Sequence, residues 1–484
     1  MPDDMYICAM KQINNLEYAP TEPTEVVDVV VIGAGLTGLC MAHWARLRGL
    51  SVRVLESTGR IGGQIQTYSQ NGFIYESGPN TGIISNWQTA ELFSSLGDET
   101  LLQTAKQSAK RRLILRQGRF VPLPSGLKSA ITTPLFAWRD KLNILAEPFR
   151  PRGTDPDESI ASLVERRLGR SYLTYAVDPF IGGIYAGDST KLTTRFALPK
   201  LYALEQEYGS FIRGAFAKMR IPKSELDRSV TKEVFSARGG LSNLVGALSR
   251  SIGPDHISLS SKIREVLPRD ASGLWHIHYD TAEASVVVRS RCVISTVGTY
   301  ALEELFPFLT KKSLQPLDAM RYAPIVQVSV GYRSFEGTDF EAFGGLIPSV
   351  EDKDLLGVLH PSACFTGRAP EGGALLSVFL GGMRSPNLID RSDEEIEALI
   401  KGRLEQILGI KVEPDLLHIF RHRRAIPQYE ASTGERLAMI RQVEEQYPGL
   451  ILAGNMRDGI GMADRIAQAY NIIYKELGAL ISRV

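Results

Sequence analysis

The stretch Val29-Val30-Val31-Ile32-Gly33-Ala34-Gly35-Leu36-Thr37-Gly38 decides how this chain is read. Four β-branched residues in a row suit a strand buried on both faces of a parallel sheet. Glycines spaced G-x-G-x-x-G follow at once and open a predicted helix from Leu39 to Arg48, which Gly49 stops. A second strand, Ser51 to Leu55, ends in Glu56. Each position has a physical task in a dinucleotide site. Gly33 permits the tight turn, Gly35 lets the backbone approach a pyrophosphate, and Gly38 lets the helix pack close to the strand. Leu36 and Thr37 sit at the helix start, whose free N–H groups and dipole favour a phosphate. Glu56, with Ser57 beside it, closes the second strand where a carboxylate accepts hydrogen bonds from ribose hydroxyls.

Moving outward, Gly59-Arg60-Ile61-Gly62-Gly63 comes directly after the acid. It resembles the Arg-x-Gly-Gly element of the FAD-dependent amine-oxidase-like superfamily, which extends the nucleotide site toward the flavin. Adjacent glycines allow close backbone contact with a bulky cofactor, and Arg60 brings a cation near the pyrophosphate. The expected cofactor is therefore FAD rather than NAD.

Further along, 73–80 reads as a short strand entering a Gly-Pro turn, and 111–124 as a hairpin turning at Gln117-Gly118. A Pro- and Arg-rich connection at 148–156 precedes a helix that starts near Asp157 or Ser159. An amphipathic helix over 200–220 is expected to break at Gly209 and Gly214. Leu241 to Ile252 is helical, strands are expected over 256–268, 274–280, 285–295, 321–333 and 374–380, and 393–408 is an amphipathic helix. The chain closes with a buried strand at 450–455, a Gly-rich loop to Gly461, and a helix from Met462 to Leu477.

The 484 residues suggest about three domains. Lys plus Arg is 55 and Asp plus Glu is 54, so the net charge of +1 gives no global attraction for nucleic acid. Apolar residues at 44% and charged residues at 23% exclude a wholly disordered chain. Cys8, Cys40, Cys292 and Cys364 form no CxxC pair and read as reduced, mostly buried thiols. His276 and His278 alternate along a strand without further ligands, so no metal is expected. Residues 1–26 read as a polar extension; its acidic start fits neither a signal nor a transit peptide. No apolar run is long enough for a transmembrane helix.

Four distant segments then point one way: Phe180 to Asp188 (FIGGIYAGD), Val234 to Leu241 (VFSARGGL), Ala425 to Tyr429 (AIPQY), and the closing loop at 453–464. Together with the fingerprint they resemble the protoporphyrinogen oxidase family over residues 28 to 480. The resemblance implies an α/β fold. A Rossmann-like FAD-binding domain would be assembled from 27–90, 234–298 and 445–484. An α+β substrate-binding domain would take 91–109, 201–233 and 299–444, and a mainly helical insertion 110–200.

It also implies roles. Gly33, Gly35, Gly38 and Glu56 would bind the adenosine diphosphate part of FAD, and Gly78, Pro79, Asn80 and Thr81 would pass near the flavin. Ile263 would lie on the adenine side. Gly454 and Asn455 begin the closing loop, and Ile460, Gly461 and Met462 would meet the isoalloxazine. Arg112 would hold a substrate propionate, as a guanidinium suits a carboxylate, and Phe365 would pack on the tetrapyrrole. Two departures stand out: Arg457-Asp458 where smaller residues are common, and Gly434 where some relatives carry a tryptophan on FAD.

The implied activity is oxidation of protoporphyrinogen IX to protoporphyrin IX in heme synthesis, with dioxygen as acceptor and hydrogen peroxide as product. No residue emerges as a catalytic base. The implied location is the cytoplasm, peripheral on the cytoplasmic membrane face. Leu127, Ile131, Leu135, Phe136, Trp138 and Leu142, flanked by Lys and Arg, suit such an interface; a lid on the protein's own core is the alternative. A homodimer stays open. Competing functions are coproporphyrinogen III oxidation, oxidation of amines or carotenoids, and a non-catalytic scaffold that has lost its flavin, which the intact Glu56 and glycine elements oppose.

Overall fold

The β-branched run forms the strand Glu25–Ile32 at the centre of a seven-stranded sheet in the computed structural model, which describes residues 25–478 except 99, 223, 310 and 336–340. Val52–Leu55 pairs parallel on one side and Ser285–Ser295 parallel on the other. Ile257–Ser258 extends the sheet beyond Val52–Leu55. Trp275–Asp280 and Lys262–Leu267 add antiparallel strands beyond Ser285–Ser295, and Leu450–Leu452 pairs parallel with that same strand. Pieces more than 400 residues apart in sequence, Glu25–Ile32 and Leu450–Leu452, therefore share one sheet. Strands buried on both faces need an apolar cover on each side. One cover comprises the opening helix Leu36–Leu47, Leu241–Ile252 and the closing helix Met462–Asn471. The other comprises the segments 302–309 and 314–320 and part of the helix Thr433–Gln446.

The second large sheet runs Leu416–Pro427, Tyr322–Tyr332, Ala374–Gly381, Leu355–Leu359, Gly344–Leu346, Arg112–Arg116, Arg119–Pro122. One face is apolar, with Val326, Val328, Val330, Leu376, Val378 and Leu380 packed against the helix Asp393–Leu408. Alternation turns Gln327, Ser329 and Ser377 to the other face. There Gln327 Nε2 donates to Glu76 O at 2.7 Å and Ser377 Oγ to Asn80 Oδ1 at 2.9 Å. The polar face of this sheet thus lies on the 76–80 turn.

Several expectations need correction. The opening helix begins at Leu36, and the second strand at Val52. The polar extension ends earlier than residue 26, because Glu25 already pairs in the sheet; residues 1–24, with Cys8, lie outside the described residues. The 112–122 hairpin joins the second sheet rather than the helical insertion. Leu102–Thr104 pairs with Val234–Ala237, tying part of the presumed substrate segment to the nucleotide region. The 200–220 helix breaks only at Gly209, whose positive φ of 70° ends Pro199–Tyr208, while Ser210 caps Phe211–Met219 by accepting from Arg213 N at 3.1 Å. Gly214 lies inside that second helix. Leu135 and Phe136 are buried, while Leu127, Ile131, Trp138 and Leu142 are exposed. Cys40, Cys292 and Cys364 are buried free thiols. No helix among the described residues is long and apolar enough to cross a membrane.

Candidate functional site

The cradle begins where the first strand ends. Gly33 has φ 102°, and a Cβ on it would lie 2.7 Å from Thr296 Oγ1. A Cβ on Gly38 would fall 2.0 Å from the Gly33 carbonyl oxygen, so only glycine lets the helix sit this close. Gly35 differs: a Cβ there meets nothing within 4 Å. Its missing side chain leaves space outside the protein's own packing, beside a helix start with no side-chain cap. The Leu36 and Thr37 side chains are buried, and their amides open that helix.

Glu56 is buried at the end of the second strand. Its Oε2 accepts from Ala34 N at 2.9 Å, and its Oε1 from Thr58 N at 2.9 Å and Thr58 Oγ1 at 2.8 Å. Ser57 Oγ reaches the same Oε1 at 3.4 Å. The carboxylate thus fixes the glycine turn to the strand end, at the rim where ribose hydroxyls would arrive. Ser261 N donates to Glu56 O at 2.8 Å, which brings half-buried Ile263 to this end of the cradle.

The second glycine element is zipped to the first. Gly62 N donates to Ala34 O at 2.7 Å, Gly35 and Gly62 form a parallel bridge, and a Cβ on Gly63 would lie 3.1 Å from Gly35 Cα. Arg60 Nη2 donates to Gly63 O at 2.7 Å. The Arg60 side chain therefore braces its own loop, which holds the cation at the rim of the cradle. Next, a Cβ on Gly78 would lie 2.1 Å from Gln64 O, and Asn80 Nδ2 donates to Gly78 O at 3.0 Å. Pro79 and Thr81 are half-buried in this turn.

The closing loop completes the ring. Gly454 has φ 93°, its N donates to Gln468 Oε1 at 2.9 Å, and a Cβ on it would lie 2.9 Å from Thr296 O. The same Thr296 abuts Gly33, so the two ends of the chain meet across one residue. The Tyr429 hydroxyl lies 2.9 Å from Asn455 O and 3.0 Å from Gly459 O, and accepts from Gly459 N at 3.1 Å. Burial pushes that phenol up to about 12. Ile460 packs on the cluster containing Tyr429, Gly461 starts the closing helix, and the Met462 Cε lies 2.9 Å from a Cβ placed on Gly82. Trp44 of the opening helix meets Tyr470 of the closing one edge to face, 5.2 Å between centroids.

Several supporting residues escaped the sequence reading. Glu76 Oε1 accepts from Leu241 N and Arg368 Nη1, both at 2.9 Å, and Oε2 accepts from Thr67 Oγ1 at 2.6 Å. Burial raises the Glu76 pKa, against the pull of Thr67 and Arg368. Arg368 also donates to Ser236 Oγ at 2.7 Å. No local pattern signals a partner 292 residues away. Arg112 is exposed, with its guanidinium 5.7 Å from the Phe343 ring. Phe365 is buried in a small cluster that Phe343 also joins, and Arg368 lies 5.6 Å over its ring. The two expected substrate residues therefore flank Phe343, and Phe365 is buried rather than open to a ligand.

The backbone turns, the open side of Gly35 and the helix start fit the pyrophosphate and ribose of a dinucleotide; Gly33, Gly35, Gly38, Glu56, Gly62, Gly63 and Gly454 are the residues positioned to hold it. Comparison with known proteins supports the family and the FAD cofactor. The family model described as "Flavin containing amine oxidoreductase" matches residues 36–465. Protoporphyrinogen oxidase 2, chloroplastic/mitochondrial, of Arabidopsis thaliana is 30% identical over 471 residues, 91% of each chain. Coproporphyrinogen III oxidase of Bacillus subtilis is 25% identical, over 94% of this chain and 98% of its own. A solved protein from Exiguobacterium sp. 255-15, provisionally named a protoporphyrinogen oxidase, shares the fold with TM-score 0.78 and 23% identity, over 96% of this chain and 100% of that one.

Proposed function

The chain belongs to the flavin-containing amine oxidoreductase family and is an FAD-dependent oxidoreductase, and on that footing we propose that it oxidises protoporphyrinogen IX to protoporphyrin IX. What supports this most is the cradle formed by three distant glycine segments, together with relatives of that name aligned over nine-tenths of the chain. Bound FAD would supply a two-electron acceptor, so full aromatisation of the macrocycle takes three rounds, with dioxygen as the final acceptor and hydrogen peroxide as product. The chain's own residues orient and exclude. The Gly33–Gly38 turn and the Arg60 loop hold the nucleotide end. The 77–81 turn is pinned by Asn80 to Ser377 of the second sheet. Arg112 offers its guanidinium to a substrate carboxylate.

Anaerobic mixing with protoporphyrinogen tests the assignment: the yellow flavin absorbance should disappear, and an unchanged spectrum would overturn it. One observation favours a second reading, coproporphyrinogen III with its additional propionates. Arg112 and Arg116 share a strand face, and Arg119 lies opposite Arg116 in the hairpin. Three cations suit four carboxylates better than two. Comparing turnover of the two substrates, with R116Q and R119Q beside wild type, separates them.

We further propose a peripheral contact with the cytoplasmic membrane face. Leu127, Phe149 and Met219 are 81%, 82% and 80% exposed, and Trp138, Leu142 and Leu145 project nearby. Monomeric proteins rarely leave such a concentration of large apolar side chains in water. Lys141 lies over Trp138 at 4.5 Å and Arg213 over Phe149 at 5.9 Å, which supplies cations at the apolar rim.

A further inference from the structure

Beneath the closing loop lie two buried arginines that form no ion pair among the described residues. Arg436 is 1% exposed and Arg465 6%. Arg465 donates to Gly454 O, to Arg457 O at 2.8 Å and to Gln468 Oε1 at 3.0 Å, and its Nε has no partner. Arg436 donates to Met456 O at 3.1 Å and Thr433 Oγ1 at 3.2 Å, and lies 5.2 Å from the Tyr429 ring. Every carbonyl in this set other than the Gln468 amide belongs to the loop at 454–457. The nearby acids make their direct bonds to other groups and reach these arginines only at longer range, Asp458 and Asp464 acting on Arg465 and Glu430 on Arg436. Asp464 accepts from Gly461 N, Asp458 accepts from Gln468 Nε2, Glu444 pairs with Arg457, and Glu430 pairs with Arg321. Among the described residues, neither buried guanidinium has a carboxylate within ion-pair distance.

Burial lowers the pKa of both side chains, yet an arginine in a protein stays charged. A buried charge is expensive unless an opposite charge offsets it. Two such cations beside one loop, offset by carboxylates only beyond ion-pair distance, leave the position able to take up further negative charge. The expected ligand provides negative charge at two places: permanently on its pyrophosphate, and transiently on its ring system. The loop leads into the N-terminus of the helix Met462–Asn471, whose positive dipole end adds to the same field.

We propose that Arg436 and Arg465 are positioning residues for the redox step: they hold the closing loop by its carbonyls and impose a positive potential where hydride transfer deposits negative charge. This rests on the FAD reading above. In the transfer a substrate C–H bond breaks and an N–H bond forms on the acceptor. The hydride carries two electrons and one proton, so the acceptor gains one negative charge. The substrate gains one positive charge, which it discharges by releasing a proton from a ring nitrogen to water. Fixed cations that need no reorganisation favour the charged product.

The test uses the FAD-loaded full chain. Sulfite is the probe, because it adds to an oxidised flavin and bleaches its colour while leaving negative charge on the ring. ADP is the second probe, because it presents the pyrophosphate alone to apo-protein. R436Q and R465Q should each weaken sulfite binding about tenfold, equivalent to a two-electron midpoint potential lower by about 30 mV. Both should leave ADP affinity within threefold, and R465K, which keeps the charge, should recover most of the sulfite affinity. Unchanged sulfite binding in flavin-loaded glutamine variants would overturn the proposal. So would a parallel loss of ADP affinity, which would assign the cations to the pyrophosphate. If R465Q does not fold, R436Q decides, since its side chain makes fewer bonds. Wild-type protein that takes up no FAD would overturn the cofactor assignment itself, and this proposal with it.

Discussion

The nucleotide region and the helical insertion are built on opposite plans. Around the glycine cradle the interior is apolar and the ligand-facing surface is backbone: Val29, Val30, Val31 and Leu39 are fully buried, while Gly33, Gly35 and Gly62 line the turn. In the insertion the interior holds buried ions beside an apolar cluster around Ile160, Val164, Ile181 and Tyr185, and the surface also carries large apolar side chains. Glu147 and Arg167 are completely buried and lie 3.0 Å apart; Arg167 also reaches Glu205 through Nε at 2.8 Å. Glu147 further accepts from Phe211 N at 2.9 Å and Ser210 Oγ at 2.5 Å, so it caps the helix that presents Phe216 and Met219 to the outside. The contrast teaches where apolar surface is spent. A region that clasps a ligand with its backbone buries its apolar side chains. A region that turns part of them outward gains further ties between its helices, and here a buried ion network adds to the apolar clusters.

Breaking that network should have the largest effect. R167M leaves the buried Glu147 without an ion-pair partner, while Glu205 keeps Arg166 at 2.9 Å, and is expected to cost about 3–5 kcal/mol. Urea denaturation followed by far-UV circular dichroism measures it, and a cost near zero would mean that the helices of the insertion hold together without ions. In the nucleotide region the sensitive element is a carbonyl rather than a charge. G38A drives a Cβ to 2.0 Å from Gly33 O; it should cost about 3 kcal/mol, in the range of severe overpacking, and yield colourless protein on purification.

Acid should weaken the nucleotide region through His43. This side chain is buried in the opening helix, with Nδ1 2.7 Å from Ser251 Oγ and Nε2 2.8 Å from Ser95 Oγ. Burial lowers its pKa to about 4. The unfolded chain takes up the proton near pH 6.5 and the folded chain only near pH 4, so stability falls across that window as pH drops. The expected loss between pH 7 and pH 5 is about 2 kcal/mol. In H43Q that share of the pH dependence should vanish, and an unaltered profile would show that another group is responsible. The smallest change in stability should come from the insertion surface. The triple variant L127S/F149S/M219S should shift unfolding by no more than about 0.5 kcal/mol, yet abolish co-sedimentation with vesicles of anionic lipid. Retained sedimentation would remove the membrane role from this face.

The sequence by itself determined the glycine turn and the strand-end acid of the nucleotide region, because the demands there are local. A turn at positive φ, a helix start against a strand and a terminal acid are constraints among neighbours, and Gly33, Gly35, Gly38 and Glu56 satisfy them within 24 residues. Helices with a strong apolar stripe, such as Leu241–Ile252 and Asp393–Leu408, were legible for the same reason. The strand Leu416–Pro427 was not, since its run of His and Arg shows no apolar alternation and only pairing with Tyr322–Tyr332 makes it a strand. Nor did Glu76 with Arg368, Glu147 with Arg167, or the unpaired Arg436 and Arg465 leave any mark along the chain. Whether a charge is buried, and what meets it there, depends on segments brought together from hundreds of residues apart, and Coulomb energy and desolvation act through space rather than along the sequence.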